Sequence, residues 1–140
     1  MTDRIFLDTN ILVYAFDNSD PKKQQTAQNL LNSFFDEQEY YSISTQVISE
    51  FCSVVFKKFR NVLTDTDLQE FISSFSDEQI FPLTRTVLLK SLQIKQRFGL
   101  SLWDSQIVAS ALLSECKFLY SEDLADGQVI ENLTILNPFK

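Results

Sequence analysis

Ile5-Phe6-Leu7-Asp8-Thr9-Asn10-Ile11-Leu12 is the stretch whose reading decides the fold. Ile5, Phe6 and Leu7 form a short apolar run that reads as a buried strand, the run ends on an acid, and residues 10–16 can begin a helix at once. A strand that passes directly into a helix opens a βα unit, and the rest of the chain repeats that alternation. Residues 40–44 read as a second strand before a helix over 45–59 that buries Val47, Phe51, Val54 and Val55. A strand at 79–82 leads to a helix over 84–98 that Gly99 is placed to cap. A helix over 102–115 then precedes a strand at 117–120, and 133–136 reads as the last strand. Between these units, Ala27, Leu30, Leu31, Phe34 and Phe35 recur at helical spacing with Pro21 suited to the first turn. Thr64-Asp65-Thr66-Asp67 reads as a helix start above the stripe Leu68, Phe71, Ile72 and Phe75. Strands alternating with helices predict an α/β protein with three layers, α/β/α, around a central, mainly parallel sheet of about five strands.

The chain has 140 residues, which suits a single domain spanning 1–140 with a substantial core. Its 44% hydrophobic content includes 13 Phe, whereas 2 Gly and 3 Pro leave little room for linkers. No segment has the pattern of a signal peptide or the ~20 apolar residues of a membrane span, so a soluble, cytoplasmic protein without membrane contact is expected. Cys52 and Cys116 fall within helical pattern or beside it and read as reduced, small core residues. Two cysteines without any histidine argue against zinc. Neither a glycine-rich phosphate loop nor an internal repeat is present.

Four acids stand where a core should reject them. Asp8 ends the first strand, Glu50 and Asp104 share helix faces with apolar residues, and Asp123 follows Phe118-Leu119-Tyr120. Asp8 can be a helix cap or a ligand at the carboxyl end of a strand, with Thr9 and Asn10 to orient it. Ser101 and Asp104 match a loosened capping box, but Asp104 is in phase with Ile107, Val108 and Ala111, which turns it toward the buried face. Asp67, in the similar Thr64-Asp67 pair, is in phase with Glu70 and Ser74 and reads as an ordinary solvated cap. Glu50 shares a face with Val47 and Val54, although a long side chain can escape to water. Asp123 can equally be a turn residue. Topology couples them, because strand ends and the starts of the following helices gather on one edge of a parallel sheet. Converged carboxylates repel and raise one another's pKa unless divalent cations neutralise them, and oxygen ligands select hard ions such as magnesium or manganese. The net charge of −7 disfavours broad affinity for nucleic acid. Two divalent cations on four carboxylates would leave −3 on the rest of the chain.

The constellation resembles the PIN-domain ribonucleases and, within them, the VapC-like toxins of toxin-antitoxin pairs. The resemblance is carried by Phe6-Leu7-Asp8-Thr9-Asn10-Ile11-Leu12, Val47-Ile48-Ser49-Glu50-Phe51, Leu102-Trp103-Asp104-Ser105 with Ile107-Val108-Ala109, and Tyr120-Ser121-Glu122-Asp123-Leu124. It implies a PIN-like domain in which Asp8, Glu50, Asp104 and Asp123 are catalytic metal ligands. Asn10 and Ser121 match positions that support the site by hydrogen bonding. Asp126 is a secondary candidate for the fourth ligand, and Glu122 is expected to point away. The implied reaction is hydrolysis of RNA phosphodiester bonds by an endoribonuclease that uses Mg²⁺, with Mn²⁺ as a substitute, in a two-metal mechanism with the ions ~3.5 to 4 Å apart. The implied partners are the RNA substrate, a small antitoxin and a second copy of the chain in a homodimer.

Lys22, Lys23, Lys57, Lys58, Arg60, Lys95 and Arg97 are available to contact an RNA backbone or to cover the surface. A noncatalytic PIN-like module that binds RNA or protein is the main alternative. A haloacid dehalogenase-like phosphatase is a more distant one, since Asn10 occupies the second position of that family's Asp-x-Asp motif.

Overall fold

The computed structural model describes residues 3–140. β1 (Ile5–Leu7) runs into α1 (Thr9–Ala15) with Asp8 alone between them, and α2 (Pro21–Asp36) begins on its proline. β2 (Tyr41–Ser44) passes directly into α3 (Thr45–Lys58), followed by α4 (Asp65–Ser73), β3 (Ile80–Phe81) and α5 (Arg85–Phe98). α6 (Leu102–Leu113), β4 (Phe118–Tyr120), β5 (Val129–Ile130) and β6 (Leu133–Leu136) complete the chain. The predicted helices and five strands are all present. A sixth strand, β5, pairs antiparallel with β6 at the sheet edge.

The sheet order is β3-β2-β1-β4-β6-β5, parallel except at β5. The chain builds β2 and β3 on one side of β1 and then crosses to place β4 on the other side. β1 and β4 are therefore neighbours from opposite halves of the winding, and a crevice opens beyond their carboxyl ends, where open α/β sheets take ligands. Phe6 lies opposite Leu119, and the Asp8 amide extends the pairing by donating to the Tyr120 carbonyl at 3.0 Å.

Helices cover the sheet in two groups, with α1 packed on α2 and α3, and α5 packed on α6. α6 lies against β2 and β4, and its residues from Ser105 to Ala111 are all buried, as expected for a helix enclosed between sheet and helix. The α1–α4 group is locked by aromatic rings. Phe34 meets Phe35, Tyr41 and Phe75 at centroid separations of 5.6, 5.8 and 5.4 Å, and Phe71 joins Phe16, Phe51 and Phe75.

Local signals set the helix ends and starts. Gly99, in the left-handed conformation at φ 70°, ends α5 as its sequence position predicts. The buried Ser44 hydroxyl caps α3 by accepting from the Val47 amide at 3.3 Å. Ser44→Ala is expected to cost about 1 kcal/mol, measured by urea denaturation, because the first turn of the helix that carries Glu50 loses its acceptor.

Candidate active site

Asp8, Glu50, Asp104 and Asp123 line one cavity of about 400 Å³ beyond the carboxyl ends of β1 and β4. Each arrives by a different route. Asp8 is the residue between β1 and α1, Glu50 sits in the second turn of α3, Asp104 is in the first turn of α6, and Asp123 follows β4. Glu50 thus lies one turn deeper in its helix than the strand-end argument places it. Their exposure is graded, with Asp8 buried, Glu50 and Asp104 half-buried, and Asp123 exposed.

Of the two readings of Asp8, the helix cap is seen directly, and the residue stands at the carboxyl end of β1. Its Oδ1 accepts from the Thr9 amide at 2.7 Å, which caps α1, and Oδ2 accepts from the Ser121 hydroxyl at 2.8 Å across the β1–β4 boundary. Ser121 Oγ in turn accepts from the amides of Asp123 and Leu124, tying the β4 loop to Asp8. The Thr9 hydroxyl donates to Glu50 Oε1 at 2.7 Å, and Asn10 Nδ2 donates to Asp123 Oδ2 at 3.1 Å. Thr9 and Asn10 therefore orient the neighbouring acids as well as framing Asp8.

Asp104 shows why phase outweighs the capping motif. Ser101 accepts from the Asp104 amide at 3.0 Å, but no bond returns from the Asp104 carboxylate to Ser101. In α4 the box is closed, since Asp67 accepts from the Thr64 amide at 2.9 Å while Thr64 accepts from the Asp67 amide. The carboxylate that caps is occupied by its own backbone, and the one that does not cap is left to the cavity.

Asp126 does not join the four. It faces a separate cavity beside α2, where Oδ1 accepts from the Asn137 amide at 2.8 Å and Oδ2 pairs with Lys140 at 3.6 Å. Glu122 corrects the expectation in the other direction. It lines the acidic cavity, drawn there by Lys23 and the Tyr14 hydroxyl. Burial works to raise its pKa, but the hydrogen bonds from Lys23 and Tyr14 prevail and hold it low. Asn10, Val13, Tyr14 and Asp17 also line the cavity, and their i, i+3, i+4, i+7 spacing is the signal that could have found this wall. Of the basic residues weighed for RNA, Lys58 lines the cavity, whereas Arg97 is spent on Glu131.

Six acids and one cation, Lys58, line the cavity. Among the described residues, none of the four acids takes part in an ion pair. Burial pushes the Asp8 carboxyl from its ordinary 3.8 up to about 6, against the lowering effect of Ser121 and Thr9, with Asp123 and Glu50 adding repulsion. Such a shift records the cost of collecting negative charge in low dielectric. A cation removes that cost, and a donor set made only of oxygen suits Mg²⁺ or Mn²⁺. Among the described residues, no three acidic or cysteine side chains are drawn together as a finished cation cage. The carboxylates ring the cavity, three of them tethered by neighbouring donors.

Because Asp8 holds its proton more tightly folded than unfolded, its contribution favours the folded state at low pH and is lost as pH rises from about 4 to about 6. The shift corresponds to roughly 3 kcal/mol. Asp17, Asp67, Glu122 and Glu131 are held low and act in the opposite sense, so the difference between variants is the readout. In EDTA, the stability of wild type relative to Asp8→Asn is expected to fall between pH 4 and pH 7, followed by urea denaturation. An unchanged difference would show that Asp8 titrates normally.

An α/β sheet wound in two halves, with acids gathered at the switch point, defines a class of acid-lined α/β proteins. The model of the PIN domain family matches residues 5–125, and the chain belongs to that family. Solved structures share the fold across most of their length. A toxin-antitoxin complex from Klebsiella pneumoniae has a chain with TM-score 0.69 and 21% identity, matched over 96% of this chain and 97% of that one. VapBC2 from Rickettsia felis, bound to a DNA fragment from its promoter, gives 0.67 and 19% over 94% and 96%. Mycobacterium tuberculosis VapC20, described as a sarcin-ricin loop cleaving toxin, gives 0.62 and 15% over 85% and 89%. No protein with a curated description matches the sequence. No helix among the described residues is long and apolar enough to cross a membrane.

Proposed function

We propose that this chain is a divalent-metal-dependent endoribonuclease and the toxin of a toxin-antitoxin pair. The observation that carries the proposal is the convergence on one cavity, at the switch point of the sheet, of four acids that form no ion pair among the described residues. Membership of the PIN family and the fold shared with toxins of such pairs support it.

Asp8, Glu50, Asp104 and Asp123 are the residues to hold Mg²⁺, or Mn²⁺ in its place. When bound, such ions supply Lewis-acid activation of water and neutralisation of charge at a phosphodiester. The chain's own part is positioning. Thr9 and Ser121 fix both oxygens of Asp8, the Thr9 hydroxyl fixes one oxygen of Glu50, and Asn10 fixes Asp123. Lys58 at the cavity wall is placed to meet a backbone phosphate, and Lys23 silences Glu122, which would otherwise repel it. Removal of a proton from the attacking water does not rely on imidazole, since the chain contains no histidine. An antitoxin with a basic segment suits the −7 charge of the chain. A second copy in a homodimer completes the proposed assembly.

Labelled single-stranded RNA incubated with antitoxin-free protein is expected to be cut in Mg²⁺ and spared in EDTA, with Asp104→Asn inactive in both. RNA that is bound but uncut under all conditions would replace the enzyme with a noncatalytic binding module.

A further inference from the structure

A second cavity, of about 440 Å³, adjoins the acidic one and shares Glu50 and Trp103 with it. Trp103, the only tryptophan, is 62% exposed although it directly precedes Asp104 on a helix whose residues from Ser105 to Ala111 are all buried. Its backbone is fixed, because the Gln46 side-chain amide donates to the Trp103 carbonyl at 3.1 Å. The aromatic face is therefore offered to solvent from a rigid support between the two cavities.

The lining of the second cavity defines its occupant. Glu50 is its one charged residue, so it offers no cation for a phosphate. Leu83 and Trp103 supply apolar surface, and Gln46 and Gln106 supply amides. Both glutamines are more than nine-tenths buried, at 7% and 3% exposed, and the Oε1 atom of each lacks a hydrogen-bond partner among the described residues. Buried polar atoms are normally satisfied, and two orphaned acceptors beside one cavity point to a partner supplied from outside the chain. An aliphatic side chain would leave them orphaned. A nucleobase presents a flat face for stacking on tryptophan and donors along its edge for an amide, and single-stranded RNA is read in this way.

We propose that this cavity receives the base of a nucleotide flanking the scissile phosphate, stacked on Trp103 and read by Gln46 and Gln106, so that it selects where the chain cuts. The proposal rests on the nuclease reading above. The carbonyl oxygens of both amides are covered by the protein, so the base is read after the two amides turn toward the cavity, and Gln46 in turning gives up its bond to the Trp103 carbonyl.

Two measurements test it separately from that reading. Trp103 is the only tryptophan, so its fluorescence reports stacking without catalysis. Short RNAs carrying 2′-deoxy substitution at the cut, titrated in EDTA, are expected to quench it with a preference among the four bases, and Gln46→Ala is expected to flatten that preference. In single-turnover cleavage with Mg²⁺, Trp103→Ala is expected to weaken RNA binding by about 5- to 150-fold, seen in KM more than in kcat, with Trp103→Phe retaining most of the affinity. Base-selective quenching without cleavage would sink the nuclease reading and leave the base cavity standing. Cleavage with unchanged rate and base preference in Trp103→Ala overturns the cavity proposal and leaves the nuclease. The same unchanged preference, accompanied by loss of self-association or of antitoxin binding, assigns Trp103 to a protein interface and overturns it equally.

Discussion

Asp8→Asn is expected to abolish cleavage while making the metal-free protein more stable. Removing an outer partner of a metal ligand costs roughly 10- to 100-fold in activity, and a carboxylate that meets the ion directly stands to lose more. Asp8 is the buried member of the four, fixed by Thr9 and Ser121, and neither Glu50 nor Asp123 can move into its place without breaking its own bond to the Thr9 hydroxyl or to Asn10. Stability should move the other way. At pH 8 wild type holds a charge where burial favours the neutral form, and Asn removes that charge. Asn accepts less well from two donors at once, which offsets part of the gain, leaving roughly 1–2 kcal/mol in favour of the variant. Urea denaturation in EDTA beside single-turnover cleavage reads both effects. A variant that is inactive and also much less stable would mean that Asp8 serves the fold alone.

Phe34→Ala is expected to have the largest effect on stability. Phe34 is fully buried, and its ring is bounded by Phe35, Tyr41 and Phe75, which belong to α2, β2 and the segment after α4. Truncation of such a ring costs about 3–5 kcal/mol, because surrounding rings collapse only partly into the space. That is a large share of a typical margin of about 5–15 kcal/mol. The urea midpoint should fall with the slope of the transition unchanged. The acidic cavity lies at the β1–β4 crevice and away from this cluster, so the folded fraction should keep its cleavage chemistry. A loss below about 1 kcal/mol would mean that the aromatic cluster does not anchor α2 to the sheet.

The elements that position the site were legible because their signals are local. Ile5-Phe6-Leu7 ending on Asp8 announces a strand followed by a cap, and Gly99 announces the end of α5. Asp104 could be placed from helical phase alone, since Ile107 and Val108 fix which side of α6 is covered. Glu50 could be assigned to the correct face, although its depth in α3 depends on where Ser44 begins the helix. What escaped the reading depends on distant partners. Glu122 turns to the cavity because of Lys23, 99 positions away, and Asp126 turns from it because of Asn137 and Lys140. β5 is two residues long with Val129 exposed, so it lacks the alternation that marks a half-buried strand. In the sequence Trp103 reads only as part of the motif around Asp104. Its exposure on a buried helix is visible only once the fold is built.

The four carboxylates gathered on one cavity are expected to form a site for divalent cations. Mn²⁺ binding to antitoxin-free protein, followed by electron paramagnetic resonance at pH 7.5, tests it without RNA. Wild type is expected to bind Mn²⁺ in competition with Mg²⁺, and Asp8→Asn and Asp104→Asn to lose that binding while remaining folded. Equal Mn²⁺ binding by wild type and both variants, or none by wild type, would contradict it.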